Sequence, residues 1–261
     1  RASRRGDPRG ARRSGPQRGV RLQAVSDWPV SYVFSSNAEE VLERVEWPEE
    51  WPYTEDDFGR QDESSDTYFY NSPRLVTHVD DSFIGELKKY YAKVFPTYPG
   101  GRILDMCSSW LSHYPEEKTW SEVSITGMNE EELKRNQQAD NFTVRNLNYE
   151  PELPYPDEHF DIVTCTVSFD YLSKPLEVMK EVARVLKPGG TVILSTSNRC
   201  FPTKAVNIWL RTGDLEHVLI YASYMHYARA FEPPKCVDLT PPLGRIGFAD
   251  PVYVIQAVKK Y

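Results

Sequence analysis

The order of apolar and polar positions divides this chain into alternating strands and helices from about residue 80 onward. Phe160 to Thr196 gives the plainest case. Asp161 to Val167 is apolar and β-branched, as a strand buried on both faces must be. Leu176, Met179, Val182, Val185 and Leu186 then recur at helical spacing. Lys187 and Pro188-Gly189-Gly190 read as the helix stop, and Thr191 to Thr196 as a second apolar strand. Upstream, Asp80 starts a helix with Ile84, Leu87, Tyr91 and Val94 on one face. Arg102–Met106, Val123–Thr126 and Phe142–Asn146 read as three shorter strands. Downstream, helices are expected over Thr203–Arg211 and from Asp214 to about Ala230. Strands over Pro234–Leu239 and Pro251–Ala257 suit an antiparallel hairpin at the sheet edge.

Strands alternating with helices predict an α/β fold. Here that is a Rossmann-like, seven-stranded, mostly parallel sheet with helices on both faces and an antiparallel last strand. The segment before it breaks the pattern. Residues 27–79 are rich in Trp, Pro, Tyr and acids and show little periodicity beyond a helical piece at Ala38–Val45. An irregular arm is expected, its aromatics pinned onto the main domain. A lid, or a docking surface for a protein partner, is the functional alternative. The organisation is therefore 1–26, 27–96 and 97–261: a disordered basic segment, an acidic aromatic extension ending in a helix, and the main domain.

Charge sharpens this division. The chain of 261 residues carries a formal −7. Residues 1–21 hold eight Arg and one acid, whereas residues 27–81 hold fifteen acids and three Arg. An Arg-, Ser- and Ala-containing head nearly free of acid fits a transit peptide; the alternative is a disordered basic tail that binds something anionic. The acidic remainder argues against nucleic-acid binding. No apolar run reaches membrane-spanning length. Cys107, Cys165, Cys200 and Cys236 form no Cys-x-x-Cys pair, so reduced thiols and no metal site are expected.

Ligands of open α/β sheets bind beyond the carboxyl ends of the strands. Those ends carry Asp105-Met106-Cys107-Ser108-Ser109-Trp110, Gly127-Met128-Asn129, Asn146-Leu147, Ser168-Phe169-Asp170-Tyr171 and Ser197-Asn198-Arg199. No G-x-G-x-x-G follows any strand, which excludes a typical nicotinamide dehydrogenase. Asn129 precedes Glu130-Glu131-Glu132 and also reads as a helix N-cap. His113 has no partner in sequence and reads as structural, in a short helical turn.

Asn146, Leu153-Pro154-Tyr155-Pro156-Asp157 and Phe160-Asp161, followed by the strand–helix–strand unit, resemble the fourth-strand signature of class I S-adenosylmethionine-dependent methyltransferases. The strings LDMCSSWLSHYP, GMNEEEL and SNRCFPTKA are similar to a subset of methyltransferase type 11 domain proteins from bacteria, algae and plants. The arm resembles the extension of that subset's photosynthetic members, which implies a chloroplast location. The resemblance implies S-adenosyl-L-methionine as cofactor, with Asp105, Cys107, Ser108, Met128, Asn129, Asn146, Leu147 and Ser168 as its binding residues. It implies an acceptor of unknown identity, small molecule or protein, near Asp170, Tyr171 and Arg199. Asp170 or Tyr171 would act as base and Arg199 as an anion contact. The loop after the first strand departs from the family: it holds no glycine where D/E-x-G-x-G-x-G is usual. A methyltransferase fold without catalysis, serving as a binding or assembly subunit, is the alternative reading.

Overall fold

The computed structural model describes residues 37–261. The basic head, Trp28 and the first part of the arm lie outside the described residues. Seven strands form one sheet: β1 (Arg102–Met106), β2 (Glu122–Gly127), β3 (Asn141–Val144), β4 (Phe160–Thr166), β5 (Leu186–Thr196), β6 (Lys235–Asp238) and β7 (Tyr253–Val258). Their order is β3-β2-β1-β4-β5-β7-β6. The first five strands run parallel, and β7 pairs antiparallel with both β5 and β6. The order reverses between β1 and β4, so their carboxyl ends form the crevice where such sheets bind ligands.

Seven α-helices accompany the sheet among the described residues: α1 (Ala38–Glu43), α2 (Asp66–Phe69), α3 (Asp81–Val94), α4 (Glu130–Lys134), α5 (Pro175–Val185), α6 (Asn207–Leu210) and α7 (Asp214–Tyr227). Alternation along the strands sends side chains to two cores. On one face Ile103, Val123, Ile125 and Ile162 pack against Phe83, Leu87 and Tyr91 of α3 and Leu133 of α4. On the other, Leu104, Met106, Val163 and Leu194 pack against Val178 and Val182 of α5 and Ile220, Tyr221 and Tyr224 of α7.

The arm belongs to this second core. Residues from His217 to Met225 of α7 are all buried, as in a helix apolar on every side. Trp51 covers it, with its ring 6.1 Å from Tyr224 and 5.5 Å from Tyr227, and Tyr53 and Phe58 join the same cluster. Val41 of α1 packs on Leu219.

Three local readings change. The helix before β5 stops at Val185, and 186–190 continue as extended chain. Pairing with β4 jumps from Phe160–Leu186 to Ile162–Thr191, so Pro188-Gly189-Gly190 forms a bulge rather than a helix stop. Lys187 reaches Asp161 at 2.8 Å instead of the helix end. The helix expected over Thr203–Arg211 shrinks to α6 because Val206 is held extended by a bridge to Arg60 of the arm. The buried stripe of α3 is Phe83, Leu87, Tyr90 and Tyr91, leaving Ile84 and Val94 half-buried.

A buried ionic knot ties the arm to the sheet. Asp66 accepts from Arg60 Nη1 at 2.7 Å and from Asn148 Nδ2 at 2.9 Å, and stands 3.5 Å from Lys204 Nζ. Lys204 is fully buried and also donates to the carbonyls of Asp62 and Ser64. Removing the Asp66 charge leaves the buried Arg60 with only the exposed Glu63 at 3.6 Å and the buried Lys204 with only Asp62 at 3.1 Å. Asp66→Asn is therefore expected to lower stability by about 3–5 kcal/mol, read by urea unfolding; an unchanged midpoint would show that the knot contributes nothing.

Candidate active site

The carboxyl ends of β1 to β5 open into one cleft of about 250 Å³. Its floor is the turn after β1. Cys107 takes a left-handed φ of 52°, the conformation that glycine supplies most cheaply. His113 (58°) and Val167 (42°) are also left-handed and also line the cleft. Such strain in non-glycine residues, one of them β-branched, concentrates at functional sites. The turn lies against β2: Ser108 N donates to Thr126 O at 2.6 Å, and a Cβ on Gly127 would stand 2.3 Å from Ser108 O. Asp105 is buried beneath, accepting from Ser108 Oγ at 2.6 Å and Thr164 Oγ1 at 3.0 Å. Burial pushes its carboxyl up to about 6, against the pull of those hydroxyls.

Residues 70–79 of the arm cross the cleft as a strap. Asn129 caps α4 through Oδ1, which accepts from Glu132 N, while its Nδ2 donates to the carbonyls of Tyr70 and Asn71. Glu132 takes Arg74 N at 2.6 Å on one oxygen and Ser109 Oγ at 2.6 Å on the other. Trp110 Nε1 donates to Val76 O at 3.2 Å. The indole therefore anchors the strap.

All eight expected cofactor positions line this cleft: Asp105, Cys107, Ser108, Met128, Asn129, Asn146, Leu147 and Ser168. Their polar atoms are partly committed. Asn146 Oδ1 accepts from Asn148 N, and Ser168 Oγ donates to Thr166 O.

The acceptor group fares differently. Asp170 does not line the cleft. It is buried with Tyr221 Oη 3.3 Å from one oxygen, and its other oxygen has no partner. A base must reach the proton it takes, so Asp170 is not placed to act as one. Tyr171 does line the cleft, but burial raises its phenol well above the ordinary value, and its oxygen accepts from Phe201 N. It is a protonated wall rather than a base. Arg199 Nε donates to the buried Asp250 at 2.6 Å; that carboxylate also accepts from Asp80 N, and the Asp80 carboxylate accepts from Asp250 N. Arg199 is thus braced through Nε, while its side chain lines the cleft and stays 63% exposed.

Sequence reasoning missed the arm residues Tyr70, Arg74 and His78, together with Glu132, Asn148, Phe201 and Lys204. Only the Asn129-x-x-Glu132 spacing gave a local hint, and it reads as a cap. His113 sits in irregular chain rather than a helical turn. Burial depresses it to about 4, leaving a neutral ring whose Nδ1 has no partner. The four cysteines are free thiols, no group of residues is set to hold a metal, and no helix is long and apolar enough to cross a membrane, all among the described residues.

The family described as "Methyltransferase domain" matches residues 107–194, from the floor of the cleft through most of β5. The sheet order and the cleft agree with that match. Residues 107–194 carry the methyltransferase domain, on a sheet of Rossmann-like methyltransferase order. S-adenosyl-L-methionine is the cofactor that goes with the domain. A ubiquinone/menaquinone biosynthesis C-methyltransferase of Shewanella sp. (strain ANA-3) is 31% identical over 119 residues, covering 41% of this chain and 47% of that protein. The chain thus spans about half the length of the curated relatives it matches. Among solved structures, the [4+2]-cyclase SpnF aligns with a TM-score of 0.50 at 13% identity, over 74% of this chain and 91% of that one. A Haemonchus contortus phosphoethanolamine N-methyltransferase 2 with S-adenosyl-L-methionine aligns at 0.46 and 12% identity, over 66% and 53%.

Burial raises Asp170 to about 7. An acid whose pKa is higher folded than unfolded holds more protons in the folded state. The Asp170 contribution to stability therefore falls as pH rises from about 4 to about 7 and levels off above, opposed below about 6.5 by the depressed His113 and His217. Asp105 adds to the fall between about 4 and 6. Asp170→Asn is expected to flatten the upper part of that slope, measured as unfolding free energy from pH 4 to 8; an identical slope would place the Asp170 charge elsewhere.

Proposed function

We propose that this chain is an S-adenosylmethionine-dependent methyltransferase whose acceptor enters between the ends of β4 and β5. One observation carries the reading: the eight cofactor positions taken from four separate stretches of sequence line a single cleft at the sheet's switch point. The residues present suit the cofactor in three ways. The left-handed Cys107 lets the turn's backbone come close without glycine. Met128 and Leu147 offer apolar surface, and Asn146 keeps a second lone pair on its amide oxygen. Thr126 Oγ1 and His113 Nδ1 are buried without partners.

When bound, S-adenosylmethionine supplies a methyl group on a sulfonium. The chain's part is positioning. Tyr171 and Phe201, with ring centroids 5.9 Å apart, wall the acceptor end. Aromatic faces favour a neighbouring cation. Asp170 is withdrawn, Tyr171 is protonated and His113 is a weak base. The cleft therefore suits an acceptor that arrives nucleophilic, with orientation supplying much of the rate.

The strap must yield for this to happen. At about 250 Å³ the cleft falls below the roughly 300–1,000 Å³ of ligand pockets. Asn129 meets a ribose only after releasing Tyr70 and Asn71. The arm is thus both packing and lid. A chloroplast location goes with this reading, supported by the composition of residues 1–26. The non-catalytic subunit reading draws on the same strap, but it leaves the strained, polar-lined cleft without a use.

Calorimetric titration of the purified chain with S-adenosylmethionine and S-adenosylhomocysteine is expected to give saturable binding, with altered hydrogen exchange at residues 70–79. Trp110→Phe, which loses one bond to the strap, should tighten both ligands a few-fold, from about 1 kcal/mol of closed-state stability. No heat at millimolar ligand in either protein would sink the enzymatic reading.

A further inference from the structure

Four cations line the cleft: Arg74, Arg145, Arg199 and Lys204. Three have carboxylate partners. Arg145 pairs with Glu150, Arg199 with Asp250, and Lys204 with Asp62 and Asp66. Arg74 pairs with no carboxylate among the described residues. Its Nη2 donates to Phe69 O at 2.8 Å, and its Nη1 is sealed from water without an acceptor. The carboxylate close at hand, Glu132, spends one oxygen on Arg74's own backbone N–H and the other on Ser109.

Aromatic rings hold the guanidinium in place. Its carbon lies 4.4 Å from the Phe69 centroid, 5.5 Å from Phe201 and 5.8 Å from Tyr70. Such contacts offset part of the desolvation of a cation but do not replace an in-plane acceptor. A guanidinium held flat beside a cleft, with one amino group lacking an acceptor, is a receptor for a carboxylate or phosphate.

Building on the methyltransferase reading, we propose that Arg74 is the counter-ion for a carboxylate or phosphate on the ligand of this cleft. Phe201, which walls the acceptor end with Tyr171, places it there, which makes the acceptor a small anionic molecule. A small shift of Phe201 opens Nη1 to it. An anionic acceptor also agrees with the want of a base in the cleft. The amino-acid carboxylate of the cofactor is the other source of the same chemistry.

Calorimetry on the full chain separates these, with wild type, Arg74→Gln and Arg74→Lys titrated against two matched pairs. The first pair is S-adenosylhomocysteine and 5′-methylthioadenosine, the same nucleoside without the carboxylate. The second is 4-hydroxybenzoate and its neutral amide. Wild type is expected to prefer the anionic member of a pair. Arg74→Gln should weaken that member roughly tenfold or more, leave the neutral one unchanged, and be partly rescued by Arg74→Lys. An effect on the benzoate pair assigns the anion to the acceptor, and one on the nucleoside pair assigns it to the cofactor. Equal affinity for both members of each pair in wild type overturns the proposal. So does an Arg74→Gln protein that loses melting temperature and no affinity, which would give the guanidinium a packing role. If neither nucleoside binds wild type, the methyltransferase reading fails, while the benzoate pair still reports on Arg74.

Discussion

The Asp66 carboxylate is the constraint on which the shape of the cleft depends. It is buried and bonds to Arg60 and Asn148 with Lys204 close by, so it joins the arm, the loop after β3 and the loop after β5 at one point. Asn148 extends the link, donating to Tyr171 O and accepting from Ser173 N. Few apolar contacts could fix three loops in one register. Buried charges do so because any other arrangement leaves one of them unpaired in a low dielectric. The strap, the acceptor wall and the floor are therefore set relative to one another before any ligand arrives.

That rigidity has a thermodynamic counterpart at the strap. Asn129, Glu132 and Trp110 all hold residues 70–79 in the closed state. Each bond that closes the strap competes with ligand entry, so apparent affinity is intrinsic affinity scaled by the fraction of open molecules. Ligand selectivity follows from the same competition. A molecule that repays the lost strap contacts is retained, and one that merely fits the cavity is not.

The sheet was legible in the sequence because burial on both faces writes continuous apolar runs, as in β4 and β5, and because Pro and Gly punctuate them. The residues that line the cleft at the strand ends were legible because those ends converge by topology alone. What stayed hidden depends on long-range pairing. The direction of the Asp170 side chain follows from packing against α7, fifty residues on. The brace of Arg199 on Asp250 and the shortening of α6 by Arg60 are likewise contacts between distant segments. The arm was the hardest part to read, since aromatics and acids without periodicity give composition but no geometry. Trp47, Trp51, Tyr53 and Phe58 pack on the domain, as expected, whereas Tyr68 stands exposed, and the arm's Arg and carbonyl groups also build the site.

The way the arm covers α7 bears on where the folding unit begins. A helix apolar on all sides has no surface of its own to offer water, and Trp51, Tyr53 and Phe58 supply the missing face. A chain cut at residue 97 would keep all seven strands and still bare that aromatic seam. It would be sticky rather than merely shorter. Insertions or losses in the extension are thereby felt in solubility before they are felt in chemistry, and the arm and the sheet are bound to change together.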